Sequence, residues 1–283
     1  MKFTSSVVSL SLVCAGSLVE AADMLNMQHL NRAPIHGHRS DLSARSTVGS
    51  SFSSGIKKGL SFNDASLTHH FTSSEVSWAY NWGQTYSGSL PANVMYIPML
   101  WSDSSASTSS WHTNAQAAIN KGAKYLLGFN EPDLNAQANM TPKQAASAWM
   151  TYMQPFAGKA KLVGPAITNG AAPMGEAWLD EFISLCTKCT IDVYAMHIYD
   201  AATNEAYYKQ YISSFASKYK KPVWVTEFGA TGSASQVNTF LGSMVSYLDG
   251  LEGFGAYAWF MDEAGNLVNS DGTLTSLGKT YAA

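Results

Sequence analysis

The sequence predicts an α/β protein folded as one (β/α)8 TIM barrel, and three observations lead there. From Gly59 onward, eight short runs rich in β-branched and aromatic residues alternate with longer stretches of helical period. Most of these runs are almost continuously apolar, as strands buried on both faces must be. No Gly-x-Gly-x-x-Gly follows the first run, which sets aside an open doubly wound sheet as the alternative.

The runs, in order, are Gly59–Asn63, Ser77–Trp82, Val94–Trp101, Tyr125–Pro132, Leu162–Thr168, Val193–Tyr199, Val223–Phe228 and Gly255–Phe260. Between them lie helix signals. Thr141-Pro142-Lys143-Gln144 supplies a capping threonine, proline at the first helical position and Gln at the third, a capping box ahead of Ala145–Phe156. In Ala177–Cys186 the residues Trp178, Phe182 and Leu185 share one face. In Gln236–Leu248 the face is Val237, Phe240, Leu241, Met244 and Leu248. Gly122 and Gly250 suit positions just past a helix end. No internal repeat exists beyond this alternation.

Ahead of the barrel the composition changes. Lys2, an apolar run of about 13 residues from Val7 to Val19, and the small residues after it predict a signal peptide over residues 1–21. The run is too short to span a bilayer and no other stretch approaches that length, so no membrane segment is expected. Residues 22–58 are rich in Ser, Gly, His and Arg without apolar periodicity, which predicts a linker or propeptide. Lys57-Lys58 is a candidate dibasic processing site at its end, leaving a catalytic domain at 59–283. The expected location is extracellular or in a cell wall.

From Gly59 the chain carries 11 Lys plus Arg against 17 Asp plus Glu, with no basic stripe, so nucleic acid is not an expected partner. Cys14 falls in the signal peptide. Cys186 and Cys189 then form a Cys-x-x-Cys pair, expected as a structural disulfide in an oxidising compartment; a thioredoxin-type site lacks its strand-then-helix context here. Two thiols and scattered histidines support no zinc cluster, and neither metal nor organic cofactor is expected.

In a barrel of this kind the chemistry sits at the C-terminal ends of the strands. The fourth run ends Asn130-Glu131-Pro132-Asp133 and the seventh Thr226-Glu227-Phe228, which places two carboxyls across the mouth from one another. Hydrolysis of a glycosidic bond needs such a pair: one group protonates the leaving oxygen while the other attacks the sugar or activates water. Pyranose rings also stack on aromatic faces, so Trp82, Trp101 and Trp259, each at the end of a run, are candidate sugar platforms. Trp78, Trp149, Trp178 and Trp224 lie within elements and are read as packing. Asp133 and Asn169 are candidate rim contacts, and Asn139-Met140-Thr141 is a glycosylation sequon beside the Asn-Glu-Pro loop.

These strings resemble a known group. Asn-Glu-Pro after the fourth strand and Thr-Glu-Phe after the seventh look like the clan A glycoside hydrolases. Tyr125–Asp133, Val223–Phe228 and Leu274–Tyr281 resemble glycoside hydrolase family 128 in particular, a family of β-1,3-glucanases and fungal cell-wall proteins. The resemblance implies that Glu131 is the acid/base and Glu227 the nucleophile, with retained configuration. It further implies that Asn130 binds the sugar 2-hydroxyl, and that His197 and Tyr199 orient the nucleophile. Phe260-Met261 departs from the family, where a smaller or different residue is expected after the phenylalanine.

The expected protein is thus a secreted, monomeric, endo-acting β-1,3-glucanase whose partner is β-1,3-glucan or its oligosaccharides. The rivals are a wall protein that binds glucan with little turnover, an enzyme of the same mechanism on β-1,4 or β-1,6 linkages, and a structural wall protein with neither property.

Overall fold

The computed structural model describes residues 51–283; the signal peptide read at 1–21 and most of the 22–58 segment lie outside the described residues. Eight parallel strands follow in chain order: β1 Lys58–Phe62, β2 Trp78–Tyr80, β3 Met95–Tyr96, β4 Tyr125–Leu127, β5 Lys161–Ile167, β6 Val193–Ala201, β7 Val223–Thr231 and β8 Phe254–Asp262. Each falls on one of the eight predicted runs. The spatial order is β3-β2-β1-β8-β7-β6-β5-β4, so the sheet curls with β3 and β4 at its edges.

The expected closed barrel is corrected at that seam, where no strand ladder runs. A single bridge joins Met99 to Leu127, with Leu127 N on Pro98 O and Leu100 N on Leu127 O, both at 3.0 Å. The sequence contains the cause: Pro98 in the third run has no N–H to give to a ladder.

Among the described residues the helices are α1 Ser105–Thr108, α2 Trp111–Asn120, α3 Pro142–Ala148, α4 Gly175–Leu185, α5 Glu205–Tyr219, α6 Ala234–Gly250 and α7 Ser276–Ala282. The Thr141/Gln144 capping box forms as read, and Ser233/Gln236 forms a second one at the start of α6. Gly122 takes φ 105° just past α2. Gly250 instead ends α6 without a left-handed turn, and the left-handed cap falls to Lys220 after α5. On α4, Trp178 and Phe182 are buried but Leu185, the last residue of the helix, is 48% exposed. No helix among the described residues is long and apolar enough to cross a membrane.

Strand side chains alternate between two faces. The outward set, among them Leu60, Phe62, Leu126, Leu162, Met196, Val225 and Trp259, packs under the helices. The inward set includes Trp78, Tyr80, Leu127, Val163, Ala195, Trp224, Ala256 and Ala258. Trp78 and Trp224 meet inside the curl with ring centroids 5.3 Å apart. Small neighbours make that possible: a Cβ on Gly59 would lie 2.2 Å from the Trp78 ring, and one on Gly255 2.6 Å from that of Trp224. Deleting either indole would leave a cavity costing about 3–5 kcal/mol.

Residues 51–57, which the composition groups with the linker, pack against the floor of the curl. Phe52 is buried beside Trp78, Trp224 and Tyr125, and Ser51 N donates to Gly255 O at 3.2 Å. Lys57 Nζ donates to Leu248 O, Asp249 O and Leu251 O at the end of α6, at 3.2, 2.9 and 2.8 Å. Lys58 lies in β1 with its Nζ on Ala283 O at 3.0 Å. Both members of the dibasic pair are buried, and burial lowers their pKa values. Cys186 and Cys189 form a disulfide beyond α4, with Cα atoms 5.2 Å apart.

Candidate active site

Glu131 and Glu227 converge at the C-terminal end of the strands, 1% and 2% exposed. His197, fully buried on β6, joins them. Its Nδ1 lies 2.9 Å from Glu131 Oε1 and 3.3 Å from Glu227 Oε2, and its Nε2 lies 2.9 Å from Thr226 Oγ1. One carboxylate oxygen from each glutamate and one imidazole nitrogen of His197 lie within 4.8 Å of one another.

The strand registers explain the convergence. β6 and β7 pair in parallel with His197 opposite Glu227, because a register shift makes Thr226 an extra residue on β7 between Val225, opposite Met196, and Glu227. Glu131 follows β4 in a tight turn. Its N–H is held by Ala166 O at 2.8 Å, its carbonyl accepts from Leu134 N at 3.1 Å, and its φ is 42°. A left-handed conformation costs a side-chain-bearing residue about 1–2 kcal/mol. Trp82 shares it, with φ 56°. That both residues belong to the site fits the tendency of backbone strain to gather where geometry matters most.

The two carboxyls have different surroundings. Glu227 accepts from Trp82 Nε1 (2.6 Å) at Oε1 and from Tyr199 OH (2.6 Å) at Oε2, and Tyr80 OH, which donates to Thr226 O at 3.0 Å, lies 3.3 Å from Oε1. Burial raises the pKa of both phenols well above the usual tyrosine range, so they remain donors. Two short donors, with the Tyr80 hydroxyl shared beside them, make Glu227 the acceptor of the pair. Glu131 Oε1 is engaged with His197, whereas Oε2 has no hydrogen-bond partner among the described residues. Burial lifts the Glu131 carboxyl to about 7, outweighing the opposing pull of His197, while the charges of Glu227 and Asp133 add to the rise. Burial pulls His197 the other way, but the charges of Glu227 and Glu131 and its bond to Glu131 hold its pKa above the ordinary value. Asn130 donates to Gln137 Oε1 at 3.2 Å and leaves its own Oδ1 without a partner. Buried acceptors left this way suit hydroxyl donors of a bound ligand.

Other residues singled out in the sequence separate into two groups. Trp82 and Trp101 are half-buried at the mouth, and Trp101 O also anchors Asn130 N at 3.0 Å. Trp259 is corrected as a platform. It is 3% exposed, faces the helices against Phe228 and Phe240, and donates its indole N–H to Asn266 Oδ1 at 3.0 Å. Alternation gives the mouth to its neighbour Phe260, half-buried and edge-on to Trp82 and Tyr199 with centroids 5.6 and 5.9 Å away.

Asp133 and Asn169 are corrected as rim contacts, since both are buried and engaged internally. Asp133 accepts from Thr168 N, Thr168 Oγ1 and Gly175 N, tying the β4–α3 loop to the start of α4. Asn169 Nδ2 donates to Tyr199 O and Tyr207 OH, both at 3.2 Å, and its Oδ1 accepts from Tyr199 N at 3.3 Å. Asn139 is exposed with φ 46°, so the sequon is accessible on the same loop. The sequence reading missed Tyr80, Thr226 and Phe260. Period-two spacing from Trp82 points to Tyr80, and the next residue past Trp259 is Phe260, whereas Thr226 carries no signal beyond its place before Glu227.

A groove of about 840 Å³ opens beside Tyr199 and Phe260, lined also by Gly229, Asn238, Asn266 and Leu277. The site thus combines a carboxyl whose pKa is raised to about 7, a second carboxyl held by hydrogen-bond donors, and aromatic surface beside an open channel. Those parts suit acid-assisted cleavage of a glycoside.

Comparison with known proteins agrees with this geometry. Residues 59–281 match the family described as Glycosyl hydrolase catalytic core. A solved structure from Blastomyces gilchristii, a family 128 subgroup III curdlan-specific exo-β-1,3-glucanase in complex with glucose, superposes with TM-score 0.76. It is 40% identical, over 81% of this chain and 98% of that one. A subgroup I endo-β-1,3-glucanase from Amycolatopsis mediterranei in complex with laminaritriose is 28% identical over 80% and 98% of the two chains, with TM-score 0.69. Alkali-sensitive linkage protein 1 of Schizosaccharomyces pombe is 33% identical over 248 residues, 80% of this chain; the match spans only 44% of that protein's length.

Proposed function

Because the chain belongs to the glycosyl hydrolase catalytic core family, and within it to glycoside hydrolase family 128, we propose that it hydrolyses β-1,3-glucan with retention of configuration, using Glu131 as acid/base and Glu227 as nucleophile. The observation that carries this reading is the convergence of the two carboxyls on one buried imidazole, with an oxygen of each within 4.8 Å of the other. Retaining enzymes hold their two carboxyls about 5–5.5 Å apart and inverting ones about 6.5–9.5 Å, and the close approach of a Glu131 oxygen to a Glu227 oxygen, within 4.8 Å, supports the retaining reading.

In the first step a Glu227 oxygen bonds to the anomeric carbon as the glycosidic C–O bond breaks, and the leaving oxygen takes the proton of Glu131. In the second step the Glu131 carboxylate removes a proton from water. The water oxygen bonds to the anomeric carbon, the Glu227 ester breaks, and both groups return to their starting states. His197 fixes Glu131 through Oε1, leaving Oε2 to carry the proton. The unpartnered Asn130 Oδ1 is the acceptor for the sugar 2-hydroxyl. Trp82, Trp101 and Phe260 supply the apolar surface for pyranose rings.

The substrate assignment draws on the solved relatives, whose ligands are glucose and laminaritriose. Internal cleavage is the reading made from the sequence; terminal cleavage is favoured by the 40% identical neighbour, an exo-acting enzyme. Secretion to the wall or medium is part of the proposal, supported by the leader-like residues 1–21 and the Cys186–Cys189 disulfide. The test is reducing-sugar release from linear β-1,3-, β-1,4- and β-1,6-glucans, with the product ladder and the first-formed anomer followed by NMR. Release from the β-1,3 polymer as the β-anomer supports the proposal. Binding of oligosaccharide without cleavage of any glucan overturns it in favour of a wall-binding protein.

The pH dependence follows from Glu131. Its carboxyl must start protonated, and burial raises its pKa to about 7. Hence kcat/KM is expected to fall as pH rises through about 7. A pH profile on laminari-oligosaccharide checks this; a basic limb more than about two units away would detach Glu131 from the acid role.

A further inference from the structure

We infer that Tyr96, on β3, is a positioning residue for the nucleophile, acting through Asn81 and Gly83 on Trp82; the inference rests on Glu227 being that nucleophile. Trp82 donates to Glu227 Oε1 at 2.6 Å from a left-handed backbone conformation, φ 56°. A tryptophan stays there when its neighbours fix it. Asn81 Oδ1 accepts from Gly83 N at 3.2 Å, closing a turn around Trp82, and Asn81 Nδ2 donates to Thr85 O at 3.0 Å. The Tyr96 hydroxyl binds both ends of that turn, donating to Asn81 Oδ1 at 2.6 Å with Gly83 O at 3.0 Å. Gly83 O also accepts from Met99 N at 2.9 Å.

The brace is itself supported. The Tyr96 ring packs on Tyr86 with centroids 4.6 Å apart, and Tyr86 stands edge-on to Phe62 at 6.2 Å. Tyr96 makes its bonds to the 81–83 turn and to neither catalytic carboxyl. Its hydroxyl therefore influences the reaction through the indole N–H, by limiting how far Glu227 swings from the attacking geometry.

Tyr96→Phe deletes the hydroxyl and keeps the ring on Tyr86. It is expected to lower kcat on laminari-oligosaccharide about tenfold with the thermal midpoint within a few degrees of wild type. The deciding measurement is a double-mutant cycle with Trp82→Phe, which lacks the indole N–H. In that background the same change should alter kcat by less than about twofold. Equal losses in both backgrounds overturn the inference, because a structural role would not need the indole. Asn81 gives a second test that does not depend on Tyr96→Phe folding: Asn81→Asp, which keeps the Oδ1 acceptor, should retain activity that Asn81→Ala loses. Equal activity in those two variants also overturns it. If Glu227→Gln keeps wild-type turnover, the nucleophile assignment itself fails, whatever the cycle gives.

Discussion

Glu227→Gln is expected to lower kcat on linear β-1,3-glucan by about 10⁴-fold or more, which is on the order of 5.5 kcal/mol of transition-state stabilisation. Two losses combine. The amide cannot form the covalent intermediate. Nor does it suit its surroundings, because one end of the group faces Trp82 Nε1 and Tyr80 OH while the other faces Tyr199 OH. A donor NH2 placed against either set leaves a buried donor facing another donor. Glu227→Ala separates these effects, since it opens space for a small anion. Azide should restore turnover on an aryl β-glucoside by attacking the anomeric carbon, and the product should be the inverted glycosyl azide. A retained azide product would move the nucleophile role to another residue.

Glu131→Gln is expected to cost about 10³–10⁴-fold on unactivated glucan, whose leaving oxygen needs a proton. On an aryl glycoside with a good leaving group the first step should be nearly intact. The intermediate then accumulates, because the second step has lost its base, and stopped-flow detection should show a burst of phenol followed by slow turnover. Loss of activity equal on both substrates would assign Glu131 a structural role. The basic limb of the pH profile should vanish in this variant, since the group raised to about 7 is gone.

Much of this site is legible from the chain because polar residues that end apolar runs are few. Glu131, Glu227, His197 and Tyr199 all lie at or near the ends of the apolar runs in the sequence, and the structure brings all four together. The errors come from what a linear reading cannot weigh. Trp259 and Phe260 are adjacent, and only the pairing of β8 with β1 and β7 decides which of them faces the mouth. Asp133 and Asn169 are polar and near the acid, but their partners lie in other elements up to 42 residues away. Residues 51–57 look like linker because a single phenylalanine and a lysine lack periodicity. They belong to the fold because Phe52 finds Trp78 and Trp224, and Lys57 finds the end of α6. The seam at β3 and β4 has a different origin: apolar character marks a strand, but hydrogen-bond capacity decides whether it joins a ladder, and Pro98 lacks the N–H for it.

The pairing of β1 with β8 also governs how the molecule is made. Tyr281 OH donates to Gly59 O across 222 residues, and Lys58 Nζ reaches Ala283 O across 225. Contacts of such span give the chain a high contact order. Doubling a loop costs only about 0.6 kcal/mol in closure entropy, so the long-range pairing of β1 with β8 is thermodynamically inexpensive. Kinetically it is demanding, since β1 waits for its second neighbour until nearly the whole sequence has been synthesised. During that interval the edge of β1 and the aromatic floor above Phe52 are open to other chains, so a folding cell must protect this protein late in its synthesis, when most of its strands already exist.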